Sequence, residues 1–310
     1  MKNKALPNPL YIGRFAPSPS GPLHLGSLFA AVISYCDAKF HQGVWRLRID
    51  DLDTPRVQPD AITQQLHQLD AFGLGWDGEV YYQSQHTADY LAALYDLQAK
   101  QACYTCHCTR QMIRERQQGQ VQYDNFCRHR HHPFDLQQAW RLQLPDQRSS
   151  WQDQWCGKQT SPQPVEDPII WRRDQIFGYH LACAWDEWAM GMTHVVRGQD
   201  LLAASWPQTL LRQHWHPSAA ELVYKHHPLL INQQGLKLSK SAQSQAVWPN
   251  QGALYKIAQI LGVADPLNAK MPDQLILQAI QDNWAKIMTD FLIQNTSEQS
   301  STSIKQVCVI

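Results

Sequence analysis

The spacing of apolar residues changes along the chain in an order that predicts alternating strands and helices. Residues 11–16 are a short apolar-leaning run that stops at Pro17-Ser18-Pro19-Ser20-Gly21-Pro22, as a strand does on entering a tight loop. From 27 to 40, Leu28, Ala31, Val32 and Tyr35 recur at the spacing of one buried helical face, with Ser27 placed to cap the start. Residues 44–49 read as a second strand, and strand, loop, helix and strand make a βαβ unit, which implies a parallel sheet. Helices are expected at 60–72 and 87–100, the second stacking Leu91, Leu94, Tyr95 and Gln98 on one side. A cysteine-rich stretch, 103–132, ends in a run of Arg and His. Residues 147–167 are polar, hold Trp151, Trp155 and two prolines, and lack sustained periodicity, so they are expected to form a loop-rich insertion. The rhythm then resumes with a strand at 169–172, a helix at 179–190, a strand at 194–197, a helix at 201–214 and a strand at 222–230. A polar loop, 232–244, precedes closing helices at 253–261 and 273–292, and the Ser- and Gln-rich tail is expected to fray.

Composition bounds this picture. A chain of 310 residues holds about two domains, or one large domain with an insertion. With 44% apolar and 17% charged residues, the balance is that of a globular protein, which excludes wholesale disorder and a disulfide-knotted miniprotein. The 27 basic and 27 acidic residues cancel, so binding nucleic acid by bulk charge is excluded, whereas a local basic face is allowed. The longest apolar stretches, 28–34 and 228–231, fall far short of the ~18 residues of a membrane span. Residues 1–10 lack the apolar core of a signal peptide, so a cytoplasmic location is expected.

Two loops carry candidate chemistry. Pro22-Leu23-His24-Leu25-Gly26-Ser27 sits where a strand ends and a helix begins, so backbone N–H groups and the positive end of the helix dipole can hold phosphate. His24 adds a donor, and Gly26 lets a ligand approach the backbone closely. Beyond the last strand, Lys237-Leu238-Ser239-Lys240-Ser241 places two lysines and two hydroxyls in five residues. Taken separately, each loop is equally an ordinary polar surface segment.

Of eight cysteines, Cys103, Cys106, Cys108 and Cys127 cluster. In a reducing compartment such clustering points to metal before disulfide. Cys106, Cys108 and Cys127 with Tyr123 could close a structural zinc tetrahedron. Cys103 also makes a C-x-x-C with Cys106, and His107, His129, His131 and His132 offer imidazoles, so the residues alone leave the fourth ligand open. Cys36, Cys156, Cys183 and Cys308 are scattered and read as ordinary small side chains.

In order and position, the two loops resemble the HIGH and KMSKS signatures of class I aminoacyl-tRNA synthetases. Further blocks resemble the glutamyl-tRNA synthetases of that class: Arg14-Phe15-Ala16-Pro17-Ser18-Pro19-Ser20-Gly21, Arg48-Ile49-Asp50-Asp51-Leu52-Asp53-Thr54-Pro55-Arg56, Phe177 to Ala182, and His194 to Asp200. The fold implied is α/β: a Rossmann-like parallel-sheet catalytic domain with a zinc-binding insertion and a short C-terminal helical region. Its halves are expected at 1–102 and 168–244, around an insertion at 103–167, with the helical region at 245–310. The pattern C-x-C-x14-Y-x3-C resembles the zinc insertion of the truncated glutamyl-Q tRNA(Asp) branch, giving Cys106, Cys108, Tyr123 and Cys127 as ligands, with His129 the substitute for Tyr123. Only 70 residues follow Lys240, where glutamyl-tRNA synthetases carry a large helical anticodon-binding region.

The resemblance implies that L-glutamate and ATP form glutamyl-adenylate, and that glutamate passes to queuosine in the anticodon of tRNA(Asp) without charging the 3′ end. His24, Gly26 and Ser27 are expected at the phosphates, with Lys240, helped by Lys237, neutralising pyrophosphate and Mg2+ accompanying ATP. Arg14, Tyr179 and Arg197 are expected at glutamate, lined by Phe15, Ala16, Pro17 and Ser18. Asp50 stands where the family carries Glu against the substrate ammonium. Asp51, Asp53 and Arg56 are expected to fix the loop. Trp151 and Trp155 are candidates to stack on a base, and Arg110, Arg114, Arg116, Arg128 and Arg130 to hold RNA. A monomer is the default. The rival readings are a discriminating glutamyl-tRNA synthetase acting on the acceptor end and a catalytically silent RNA-binding relative.

Overall fold

In the computed structural model, which describes residues 11–231, 245–263, 265–293 and 306–308, the first βαβ unit is β1 (Ile12–Phe15), α1 (Leu25–Phe40) and β2 (Val44–Ile49). Its strands are parallel, in register from Ile12 with Val44 to Phe15 with Leu47. Then come α2 (Ala61–Ala71), β3 (Tyr81–Tyr82), which pairs with β2, and α3 (Thr87–Ala99). The next elements are β4 (Cys103–Cys106), α4 (Arg110–Arg116), β5 (Ala139–Leu142), β6 (Ser150–Asp153), β7 (Gly157–Thr160) and β8 (Ile169–Trp171). Here β4, β5 and β8 make a small antiparallel sheet. The α/β alternation returns with α5 (Tyr179–Ala189), β9 (His194–Gly198), α6 (Ser205–Trp215), β10 (Val223–His227) and β11 (Leu229–Ile231). Helices α7 (Ala253–Ile260), α8 (Asp273–Asp282) and α9 (Trp284–Ile287) follow, and β12 (Gln306–Cys308) pairs with β11.

Strands β9 and β10 are parallel. At their starts β1 and β9 are tied by Thr193 N donating to Ile12 O (3.0 Å) and Ile12 N donating to Thr193 Oγ1 (2.8 Å). The carboxyl ends of β1, β2 and β9 therefore share one edge, where an open α/β sheet has its ligand crevice.

Helix α1 lies across β1, β2 and β9, burying Leu28, Phe29, Val32 and Ile33 against Trp45 and Leu47, and Ile276, Ile280 and Trp284 of α8 and α9 join this core. A second core gathers Tyr90 and Leu94 of α3, Trp140 of β5, Leu181 of α5 and Leu211 of α6. Within the first core, Lys225 Nζ is 2.8 Å from Asp37 Oδ2, both fully buried; the same carboxylate accepts from Tyr11, and its Oδ1 from Trp284 Nε1 (3.4 Å).

Four local expectations change. Helix α1 begins at Leu25, and its cap is His24 instead of Ser27: Ser27 N donates to His24 Nδ1 (3.2 Å) and His24 N to Ser27 Oγ (2.8 Å), a reciprocal box. The strand expected at 222–230 divides at Pro228, which has no N–H for the ladder. The helix expected at 273–292 divides at Asn283, whose Nδ2 takes the Ala279 carbonyl (2.9 Å). Within 147–167, the chain forms the β6–β7 hairpin, and β6 pairs with β10 at Asp153 and Tyr224, giving the order β7-β6-β10-β9. Its pattern was silent because the inward positions of its strands, Trp151, Asp153, Gly157 and Gln159, are mostly polar or glycine and show no apolar alternation. Among the described residues no helix is long and apolar enough to cross a membrane.

Candidate active site

At the carboxyl edge of the sheet lies a cleft of about 710 Å³. Arg14, Phe15, Ala16, Pro17, Ser18, His24, Gly26, Ser27, Asp50, Tyr179 and Arg197 all line it, so residues up to 183 positions apart are brought to one wall. Lys237 and Lys240 lie outside the described residues.

Arg14 projects from β1 and is held by Glu187 of α5, Nη2 to Oε1 at 2.9 Å, and by the Val196 carbonyl at 3.2 Å. Glu187 is wholly buried; burial alone would raise its pKa, but the guanidiniums of Arg14, Arg197 and Arg48 outweigh that and hold it below the usual range. Arg48 meets Asp50 at the end of β2 and also approaches Asp186 Oδ2 at 3.5 Å. Asp186 in turn accepts from Tyr90 (2.6 Å), Gln83 (2.6 Å) and Tyr81 (3.1 Å). Burial, with Asp186 adding to it, raises the pKa of Asp50 despite Arg48.

Tyr179 opens α5. Its predecessor Gly178 caps that helix against β8, where a Cβ would stand 2.4 Å from the Ile169 carbonyl oxygen, so no larger residue fits this approach. Arg197 Nη1 donates to the Tyr179 hydroxyl (3.2 Å), leaving that hydroxyl its own proton to donate. Because His24 Nδ1 is the acceptor of the cap, its neutral ring carries the proton on Nε2. The same cap takes the Ser27 N–H.

The loop after β2 is fixed as expected: Asp51 accepts from Ser84 N (2.8 Å) and Oγ (2.6 Å), and Asp53 faces Arg56 (3.7 Å) and Arg172 (3.3 Å). Sequence reasoning passed over Arg48, Asp186 and Glu187. The available signal was the pair Asp186-Glu187 inside an otherwise apolar helix, since buried carboxylates require partners.

Away from the cleft, the sulfurs of Cys106, Cys108 and Cys127 lie within 4.8 Å of one another, a group able to hold a metal ion. The Tyr123 hydroxyl is 3.3 Å from Cys106 Sγ and accepts from Cys127 N (2.9 Å). Arg141 stacks on the Tyr123 ring at 3.5 Å and Arg116 reaches Cys108 Sγ at 3.3 Å, so cations flank the thiols. Cys103 instead packs in the second core, and His129 and His131 are exposed.

Two RNA-facing expectations change. Trp155 is buried in the first core and Trp151 packs on the second, because the hairpin is folded onto the sheet. Arg128 is buried between Asp167 and Asp146, and Arg116 is paired with Asp124 (2.8 Å), whereas Arg110, Arg114 and Arg130 are exposed.

The family profile described as tRNA synthetases class I (E and Q), catalytic domain, matches residues 12–253. The chain is similar to the glutamyl-Q tRNA(Asp) synthetase of Idiomarina loihiensis, 39% identical over 282 residues, covering 89% of this chain and 98% of the relative. It is also similar to that of Thiobacillus denitrificans, 42% identical over 255 residues, covering 81% and 84%. In fold it resembles the glutamate-tRNA synthetase of Elizabethkingia anophelis, with a TM-score of 0.70 at 21% identity, over 86% of this chain and 65% of that one. The chain thus spans about two thirds of the length of that solved relative.

Proposed function

Because the chain belongs to the class I tRNA synthetase (E and Q) family, in its glutamyl-Q tRNA(Asp) synthetase branch, we propose that it joins L-glutamate to queuosine in the anticodon of tRNA(Asp) and leaves the 3′ end uncharged. One observation carries the reading at the residue level: Arg14, Arg197, Tyr179 and Asp50 surround the cleft that the His24 turn closes. Two carboxylates and an ammonium are the charges of glutamate, and two guanidiniums, a hydroxyl and a carboxylate complement them.

In the first step the α-carboxylate of glutamate attacks the α-phosphate of ATP, and pyrophosphate leaves. Negative charge grows on the α-phosphate and the leaving group, so donors fixed in advance lower the barrier. The His24 Nε2–H and Gly26 N–H serve the phosphates, while Lys240 and Lys237, which lie outside the described residues, neutralise pyrophosphate. Glu187 holds Arg14 in place, so its guanidinium orders little on binding. In the second step a hydroxyl of the queuosine cyclopentene ring attacks the activated carbonyl, and AMP leaves. Mg2+ bound with ATP supplies charge neutralisation at the phosphates.

The thiols of Cys106, Cys108 and Cys127 and the Tyr123 hydroxyl would hold zinc, which fastens the chain between β4 and β5. The donor set suits it: three soft sulfurs around one point, with Arg116 and Arg141 offsetting the surplus negative charge. We place the enzyme in the cytoplasm as a monomer.

Incubation of tRNA(Asp) with labelled glutamate, followed by digestion to nucleosides, should put the label on queuosine. Label on the terminal adenosine would replace this reading with acceptor-end charging. Glutamate-dependent exchange of pyrophosphate into ATP is expected, and its absence would indicate a silent RNA-binding relative.

A further inference from the structure

The β6–β7 hairpin supplies a buried carboxylate that reaches the cleft through one imidazole. Asp153, at the end of β6, and His226, in β10, are both fully buried, and Asp153 Oδ2 lies 2.6 Å from His226 Nδ1. On the other side of the ring, His226 Nε2 lies 2.9 Å from Nε of Arg197. An arginine Nε carries a hydrogen and can only donate, so His226 Nε2 must be the acceptor and its proton must sit on Nδ1. That tautomer is the one a carboxylate at Nδ1 selects. Three further N–H groups of Arg197 are directed by Ser205 Oγ (2.9 Å), Gln208 Oε1 (2.8 Å) and the Tyr179 hydroxyl (3.2 Å). Only the Nε contact depends on a proton position that a second residue must set.

We propose that Asp153 and His226 are positioning residues for the amino-acid site: Asp153 fixes His226 in the Nδ1–H tautomer, and neutral His226 orients the Arg197 guanidinium toward the carboxylate of the substrate. The proposal rests on the reading of this cleft as the glutamate site. Burial pushes His226 away from the charged form even with Asp153 alongside, which suits a neutral acceptor facing a cation.

The two oxygens of Asp153 have separate tasks, and this makes the idea testable. Oδ1 accepts from Trp155 N (3.0 Å) and Cys156 N (2.8 Å), closing the β6–β7 turn, while Oδ2 alone faces the His226 ring nitrogen. In Asp153→Asn the amide oxygen can keep the turn, but the NH2 group then points at Nδ1. This drives the proton to Nε2, where it opposes the Nε–H of Arg197. The turn survives and the tautomer inverts.

The test is pyrophosphate exchange with KM measured separately for glutamate and ATP. Asp153→Asn should raise the glutamate KM roughly 10- to 100-fold, with the ATP KM within about twofold. His226→Gln places a carbonyl near the Nε2 position and should retain most of the glutamate affinity, whereas His226→Leu should lose it. Circular dichroism and thermal unfolding accompany each variant, and if Asp153→Asn fails to fold, the contrast between the two His226 variants decides. Equal glutamate KM in wild type, Asp153→Asn and His226→Leu would overturn the relay, as would parallel changes in both substrate constants. Wild type without any glutamate-dependent exchange would instead defeat the underlying reading of the cleft.

Discussion

Arg48 grips Asp50 with two hydrogen bonds, Nε to Oδ1 at 2.6 Å and Nη2 to Oδ2 at 3.2 Å, where β2 ends at the cleft. The carboxylate expected to meet the substrate ammonium is therefore already partly neutralised, and Arg48 has Asp186 as a further partner.

Asp50→Asn should raise the glutamate KM more than the ATP KM. It should also cost about 2–3 kcal/mol of stability, below the usual price of breaking a buried pair because Asp186 still faces Arg48. Exchange kinetics and urea denaturation read the two effects separately. An unchanged glutamate KM would remove Asp50 from the ammonium site.

Asp37→Asn strands the buried Lys225 ammonium, with effects on Tyr11 and Trp284 as well. The expected loss is about 3–5 kcal/mol in urea denaturation. The pair sits between α1 and β10, outside the cleft lining, so the glutamate KM at a temperature where the variant stays folded should hold.

His194 stacks on Tyr11 at a ring separation of 3.9 Å, and burial, then the charge of Lys225, pushes its pKa down from 6.5 to about 4. The unfolded chain thus binds this proton more readily than the folded one. The stability held above pH 6.5 is lost as pH falls from there toward 4. His194→Phe keeps a stacking ring without the titration and should flatten the fall in stability between pH 7 and 5 by about 2 kcal/mol. Urea midpoints at the two pH values measure it; identical slopes in both proteins would contradict the assignment.

Cys127→Ser should lose the metal and destabilise the segment between β4 and β5, whereas Tyr123→Phe, with three thiols left, should keep the ion at lower affinity. Metal analysis of the purified proteins decides, and full zinc content in Cys127→Ser would remove that ligand.

Among the basic residues of this segment, Arg114→Ala and Arg130→Ala should each lower the salt dependence of tRNA binding by about one unit of slope per lost phosphate contact, if they meet the RNA backbone. Arg128→Ala should instead reduce thermal stability, because it leaves the buried Asp167 without its cation. An unchanged slope for the exposed pair would move the footprint elsewhere.

Wherever apolar periodicity decided the matter, the sequence was legible. The strands around α1 and in the α5–β9–α6 succession read as short, largely buried runs bounded by turns, and the helices between them by one apolar face. The cleft residues recognised through their motifs lie together at one sheet edge because those motifs sit at strand ends and helix starts. Asp153 and His226 gave no such signal. They are 73 residues apart, and a buried polar pair is defined by its partner, which local pattern cannot display. The β6–β7 hairpin escaped notice for a related reason, since its inward face carries Asp153, Gly157 and Gln159 and so shows no apolar alternation to read.

The pairing of β6 with β10 bears on how separable the parts of this molecule are. A cut made at 103 and 167 would take away the metal-binding segment together with an edge of the parallel sheet, which the hairpin extends. The stretch that carries the thiols is narrower: it runs from Cys106 at the end of β4 to Ala139 at the start of β5, and its ends face one another on neighbouring antiparallel strands. A short turn joining those two strands is the transplantable boundary, and the hairpin belongs by construction to the body it was expected only to interrupt.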